Sequence, residues 1–427
     1  MSTFKIAVTT IFAISFVVGI ILFALSKGGS SGQTANLVIW GTIPSETFDV
    51  AYQGSSLKTN KLIKITYIKK DSSTFNNDFI EALAEGVGPD IVLLRDDYIY
   101  KNRNKLFTIP YKNYTERNFR DTFIEGGEVF LNVDGVIALP FMVDPMVMYW
   151  NRDLFSNNAV SSPPQYWDQI YSLIEKTTRR DTDANILKST IALGEWSNIT
   201  NAKEIITMLL LQAGTPITSR NGQEVISVLN SKFDYPVIPS QSAINFYTQF
   251  SNPTSPSYTW NRSLPSSFNL FLSGNLATYI GFASEIFSIQ QKNSNLNFDV
   301  TYVPQIRDAT RKTVFGRMHA LAIVKQSKQI AGAYLAVNGL TEAVAIKELE
   351  TLTNLPPVRR DLLADKPTDT FRTVFYNSAL ISRLWIDPDS VGSEKVFRDM
   401  IELITSGQGR VSDALDQADI GLGELLK

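Results

Sequence analysis

The stretch ALAEGVGPDIVLL, residues 82–94, sets a helix end, a sharp turn and a strand side by side. Gly86 stops the helix, because glycine takes the left-handed backbone of a C-terminal cap without a side-chain clash. Gly88 and Pro89 then force a turn, and Asp90 opens DIVLL, an apolar run of strand length. Just upstream, Phe79, Ile80, Leu83 and Ala84 recur at helical spacing, and Ser73 is placed to open that helix. Further back, LIKITYIK (62–69) alternates as a strand and LVIWG (37–41) reads as a buried one, with Ser45 capping a short helix between them. Strand, helix, strand, helix, strand is the opening of a parallel sheet with right-handed crossovers. Open sheets of this kind place ligands beyond the carboxyl ends of their strands, which puts residues 40–45 and 94–98 at a cleft.

Downstream the pattern changes. Residues 131–133 and 136–139 flank Asp134-Gly135, the two-residue signal of a tight hairpin. The strand MVMYWN (146–151) follows, and Asn151 and Asp153 are placed to cap the next helix. Pro163-Pro164 leads into a helix carrying Trp167, Ile170, Leu173 and Ile174, and a largely helical stretch runs over 201–272. Strands return at ATYIGF (277–282), FDVTYV (298–303) and MHALAIV (318–324). The remainder reads as helix broken at Pro356-Pro357 and Asp387-Pro388. Strand-rich pieces early and late, around a helical middle, predict two lobes between which the chain crosses more than once.

Composition excludes several classes of function. The net charge is −2, from 40 Lys and Arg against 42 Asp and Glu, with no long basic run, which argues against nucleic acid as a partner. There is no cysteine, hence no disulfide, thiolate metal site or cysteine nucleophile. A single histidine excludes clustered-His metal sites and leaves little for triad chemistry. No H-E-x-x-H or P-loop motif occurs. The uncharged run at 6–25, followed by a Gly/Ser-rich tether to residue 35, is at ~1.5 Å per residue long enough to cross a bilayer core. It reads as an N-terminal transmembrane anchor with the main domain outside the cytoplasm; a cleaved signal peptide is the rival reading, since 30–35 are small enough to offer a cut site.

Read in order, these segments resemble the extracellular solute-binding proteins of ABC importers, in the group that includes maltodextrin- and other sugar-binding proteins. LVIWG sits where the family begins its first strand, and 82–94 looks like its helix, Gly, Pro-Asp, strand element. VIALPFMVDPMVMYWNRDLF (136–155) resembles the family's crossing segment, and PPQYWDQIYSLI (163–174) its Pro-x-Thr-Trp-Asp-Glu helix start. FLSGNLATYIGF (271–282), FDVTYVPQI and the stretch to Asn338-Gly339-Leu340 match the late return to the first lobe. The resemblance implies an α/β, two-lobed periplasmic-binding-protein fold of type II. Each lobe would be a mainly parallel sheet flanked by helices, with one transmembrane helix in front. It implies an anchor and tether at 1–35, one lobe from 36–143 with 316–352, and a second from 144–315 with 353–427. The crossings fall at 142–146, 303–316 and 353–358. The implied activity is capture of a small polar solute, a sugar or oligosaccharide, by a monomer that closes and delivers it to permease subunits, with no cofactor and no catalysis. A membrane-tethered carbohydrate-active enzyme and a sensory ectodomain are the alternatives.

A sugar site needs aromatic faces for C–H surfaces, and carboxylates and amides for hydroxyls that lose water. By resemblance, Asp97 and Asp144 occupy positions of ligand-binding carboxylates, the alternatives being a solvated loop acid and a hinge cap. Trp40 ends the first strand and faces either ligand or core. Trp196 follows Gly194-Glu195 where relatives hold a second-lobe aromatic. Phe282, Ser284 and Glu285 follow ATYIGF where relatives frequently carry a sugar-stacking Trp; here that Trp is missing, and Trp260 and Trp385 are the substitutes. Leu94 also replaces an aromatic common in maltodextrin binders. His319, inside its strand, reads as a hydrogen-bonded structural residue, with a ligand contact as the alternative.

Overall fold

The computed structural model describes residues 34–427. The expected anchor at 6–25 lies outside the described residues, and among these no helix is long and apolar enough to cross a membrane. The opening elements are β1 (Ala35–Gly41), α1 (Ser45–Gly54), β2 (Ile63–Lys69), α2 (Phe75–Glu85) and β3 (Ile91–Arg95). β1 pairs in parallel with β2 and β3 on either side. Helix α2 ends as its sequence dictates: Gly86 has φ +75°, and the Val87 N–H reaches back to the Ala82 carbonyl at 2.9 Å. Asp90 then ties strand starts together. Its carboxylate accepts from the Val38 N–H at 3.0 Å and the Ser327 hydroxyl at 2.5 Å.

A short helix α3 (Asp96–Ile99) follows β3 directly. The hairpin at Asp134-Gly135 forms, with the Asn132 N–H on the Gly135 carbonyl at 2.7 Å. Gly135 is required there, since a Cβ would lie 2.0 Å from the Ile109 carbonyl oxygen. Next come β4 (Leu139–Asn151), β5 (Ile186–Ile191), α4 (Ala202–Ala213), β6 (Leu276–Phe282), α5 (Glu285–Lys292), β7 (Phe298–Thr301) and β8 (Val314–Ile323). Asn151 caps the helix after β4 by accepting from the Leu154 N–H at 2.9 Å, while Asp153 accepts from Asn297 instead. The chain ends in α6 (Ile330–Leu340), α7 (Ala343–Thr353), α8 (Thr370–Leu380), α9 (Ser390–Thr405) and α10 (Val411–Leu426).

The sheet is mixed rather than mainly parallel. β3, β8, β4 and β6 are antiparallel neighbours in that order, and only β1 with its flanking strands and β6 with β5 pair in parallel among its longer strands. The cause is that β4 and β8 are long and run in opposite directions past each other, so each belongs to both lobes. Two separate cores result. Leu37, Phe79, Leu93, Phe141, Val143, Met318 and Leu321 belong to the first; Met146, Tyr149, Ile206, Trp260, Tyr279, Phe315 and Phe397 belong to the second. Between them lie the paired residues Asp144↔Arg317 and Pro145↔Gly316. Half-buried Met142 packs against both cores. The middle of the chain is less helical than its sequence reads: strands Thr218–Asn221 and Glu224–Ser227 form an antiparallel hairpin around Gly222.

Candidate functional site

The carboxyl ends of β1 and β3 and the crossing of β4 and β8 open onto a cleft with two adjoining compartments. The larger, about 520 Å3, is lined by Thr42, Arg95, Tyr98, Asp144, Arg317 and His319, with Ser72 and Ser73 at its exposed edge. The smaller, about 320 Å3, shares Arg95 and adds Asp97, Trp196, Lys203, Glu204 and Ser390. Both volumes fall in the ~300–1,000 Å3 range of small-molecule sites. Arg95 therefore stands as the partition. It is the last residue of β3, and its Nε donates to Asp97 Oδ1 at 2.7 Å.

Around that partition the charges are interleaved. Asp97 also accepts from the Ser390 hydroxyl at the start of α9. Lys203, in the first turn of α4, donates to Asp387 Oδ2 at 2.6 Å and to Ser393 Oγ at 2.7 Å. Burial alone would lower the pKa of Lys203, but the charges of Asp387 and Asp97 outweigh it and hold the ammonium above its ordinary value. Asp387 is pushed up by its own burial, against the pull of Lys203. Asp96 is pushed up to about 8, first by burial and then by the Asp97 charge, although it accepts the Met318 N–H at 2.8 Å. His319 is pushed down to about 4 by burial and then by the charges of Arg95 and Arg317, so at neutral pH it is an uncharged imidazole in the cleft wall. Among the described residues, no group of three His, Cys, Asp or Glu side chains is placed to hold a metal.

A second polar cluster sits at the crossing itself. Asp144 Oδ2 accepts from Arg317 Nη2 at 2.9 Å and Ser284 Oγ at 2.6 Å, and Oδ1 accepts from the Ser284 N–H at 3.0 Å. The Arg317 guanidinium lies 3.9 Å from the centroid of the Phe282 ring. One cluster thus joins β4, β8 and the loop after β6.

The expected site residues divide. Asp97, Asp144 and Trp196 line the cleft, the two carboxylates already engaged by Arg95 and Arg317 and the Trp196 ring half-buried. Trp40 is 8% exposed, packed in the first core with the Lys70 ammonium 3.9 Å from its ring centroid. Phe282 is wholly buried, with Arg317 covering its face and Phe315 against its edge. Trp260 is wholly buried in the second core, its indole N–H donating to Asn198 at 3.0 Å, and offers the cleft no ring. Trp385 packs on Phe397 beneath the charge cluster. Glu285 is a positioning residue: it accepts from the Phe282 N–H at 3.0 Å, from Asn201 Nδ2 at 2.6 Å and from the Tyr279 hydroxyl. Those bonds tie the end of β6 to the start of α4, which carries Lys203 and Glu204. Sequence reasoning missed Arg95, Tyr98, Lys203, Glu204 and Ser390. The first two fall inside the segment 94–98 already assigned to the cleft; the others come from elements whose helix patterns carry no sign of where their first turns point.

Two lobes joined by two antiparallel crossing strands, with a cleft between them, make up the fold. Consistent with this, residues 52–371 match the family model of the bacterial extracellular solute-binding proteins, and the chain belongs to that family. It is accordingly a solute-binding protein rather than an enzyme. A structure of a cyclo/maltodextrin-binding protein complexed with maltotetraose aligns with TM-score 0.73 at 15% identity, over 93% of this chain and 98% of that one. A cyclic α-maltosyl-1,6-maltose binding protein from Arthrobacter globiformis gives 0.74 at 14% identity, over 92% and 99%. The GacH receptor of Streptomyces glaucescens, solved unliganded and with acarbose, gives 0.67 at 15% identity, over 92% and 98%. At these identities the likeness is one of fold. None of the curated proteins compared matches the chain.

Proposed function

We propose that the protein is the extracytoplasmic receptor of an ABC importer, capturing a sugar or oligosaccharide between its lobes and delivering it to permease subunits in the membrane. The observation that carries this reading is the two-compartment cleft, walled by hydroxyls, ionic hydrogen-bonding groups and the aromatic rings of Tyr98 and Trp196. Similar folds solved with maltotetraose and acarbose support the solute class. Asp97 and Asp144 would serve the sugar by holding Arg95 and Arg317 in place as donors, and Trp196 would stack on a pyranose face. The lobes divide at 143/144 and 315/316, where Asp144, Pro145, Gly316 and Arg317 supply little apolar packing to resist bending. Closure would follow because solute touches both lobes only in the closed form, which shifts an open–closed equilibrium. A micromolar affinity needs about 8 kcal/mol, within reach of a few stacked rings and charge-assisted hydrogen bonds. The run at 6–25 would hold the receptor beside its permease.

The test is a thermal-shift screen against maltodextrins, mannooligosaccharides, monosaccharides and amino acids. A ligand that binds only the folded state raises the melting temperature. An oligosaccharide is expected to do so, and Trp196→Ala to weaken its binding tenfold or more in calorimetry. Shifts given by amino acids alone would overturn the sugar assignment, and a Trp196→Ala protein that binds as wild type would remove Trp196 from the site.

A further inference from the structure

A second groove, about 820 Å3 and larger than either cleft compartment, runs between Glu125–Val129 of the first lobe and residues 211–220, 306–313 and 383–386. It shares no lining residue with the two cleft compartments. Its walls carry Arg220, Arg307, Arg311 and Arg383 against Glu125, Glu128 and Asp308. Much of that charge is already matched: Arg307 is held by Asp168, and Glu128 by Arg120, both partners lying outside the groove. Arg311 and Arg383 share the single carboxylate of Glu125, at 3.2 and 2.5 Å. Asp308 is exposed and makes no ion pair among the described residues.

Arg220 differs from the rest. It is half-buried on the hairpin strand Thr218–Asn221, and its one hydrogen-bond partner among the described residues is the neutral Asn132 Oδ1, at 3.1 Å. Burial pulls its pKa below the ordinary arginine value, and does the same to Arg383 despite Glu125 beside it. Arg220 thus loses water without an ionic partner among the described residues, while Arg383 keeps the Glu125 carboxylate and the Ser382 carbonyl at 2.9 Å. Another group in the wall is also unsatisfied: Thr215 is wholly buried, and its hydroxyl has no hydrogen-bond partner among the described residues. A buried polar group left unpaired is costly, and a guanidinium fork matches carboxylate and phosphate oxygens geometrically.

We propose that this groove is a binding site for a compact polyanion, a small molecule bearing phosphoryl or carboxylate groups, held by Arg220 and Arg383 with Thr215 donating its hydroxyl. The site is independent of the sugar cleft and does not rest on the solute assigned there.

The probes are inorganic pyrophosphate and citrate, titrated calorimetrically into the protein at constant ionic strength, which separates phosphoryl from carboxylate preference. Saturable one-to-one binding of at least one of them is expected. Arg220→Gln should weaken it tenfold or more, Thr215→Val by a smaller factor, and Trp196→Ala in the cleft should leave it unchanged. Circular dichroism and the melting temperature verify that each variant is folded, and Thr215→Val keeps the test open should Arg220→Gln not fold. The proposal falls if neither anion binds saturably up to millimolar concentration, or if Arg220→Gln and Thr215→Val both bind as wild type. It also falls if Trp196→Ala abolishes binding, which would place the anion in the sugar cleft.

Discussion

The cluster at the strand crossing and the cluster around Arg95 use the same chemistry for different spans. Asp144, Arg317 and Ser284 sit on strands that are direct neighbours or on the loop beside them. Arg95 and Asp97 of the first lobe, by contrast, meet Lys203, Asp387 and Ser390 of the second with no shared strand between them. The first cluster bridges adjacent strands at the crossing. The second reaches across the cleft. Burial separates them as well: the Asp387 side chain is 2% exposed and the Asp144 side chain 12%.

That contrast orders the expected effects. Lys203→Ala should be the more damaging, because it strands Asp387 in the interior with only serine and backbone donors; breaking a buried pair in this way costs about 3–5 kcal/mol. Urea denaturation monitored by Trp fluorescence reads the loss. Arg317→Ala should cost less, about 1–2 kcal/mol, because Asp144 keeps both donors of Ser284 and a partial exposure to water. Equal losses in the two variants would erase the distinction between the two clusters.

A third effect is a dependence on pH. Asp96 is raised from 3.8 to about 8 in the folded protein, so the folded state keeps a proton that the unfolded chain has released. Its contribution is whole below the unfolded value and is lost as pH rises through about 8. Asp96→Asn preserves an acceptor for the Met318 N–H and removes the proton. Measured against wild type, the variant's relative stability should grow between about pH 5 and about pH 8 and then level off. A difference that stays flat across that range would show that Asp96 ionises as an ordinary carboxylate.

Much of this architecture was legible in sequence, for physical reasons that also explain the gaps. Residues 82–94 carry their own geometry: the left-handed Gly86 and the Val87-to-Ala82 backbone bond end α2 locally, so a short window suffices. The hairpin at Asp134-Gly135 and the Asn151 cap are equally local. The extent of the crossing strands was not. Pro140 and Pro145 interrupt the pattern of β4, and Gly316 and Arg317 interrupt β8, so the apolar runs read as shorter strands than Leu139–Asn151 and Val314–Ile323. Mixed pairing followed from those two strands and stayed hidden with them. Among the site residues, Asp97, Asp144 and Trp196 were reachable through the family resemblance, with Asp97 just past the end of β3 and Trp196 past the end of β5. The orientation of the Trp260 ring and the covering of Phe282 by Arg317 depend on side chains distant in the chain, which no local pattern encodes.

The antiparallel pairing of β3 with β8 sets the order in which the molecule becomes whole. The bond from the Met318 N–H to Asp96 spans 222 positions of the chain. During synthesis the first three strands can assemble, but the inner edge of β3 stays open until residues beyond 314 emerge and turn back beside it. Loop closure over such a distance makes pairing late and slow, and an open edge beside an apolar face invites pairing with other chains. The middle of the chain, which carries β5, α4 and β6 of the second core, is inserted within that interval. The first sheet is therefore complete only after β8 has been made, and its yield depends on how well the unfinished sheet is shielded until the returning strand arrives.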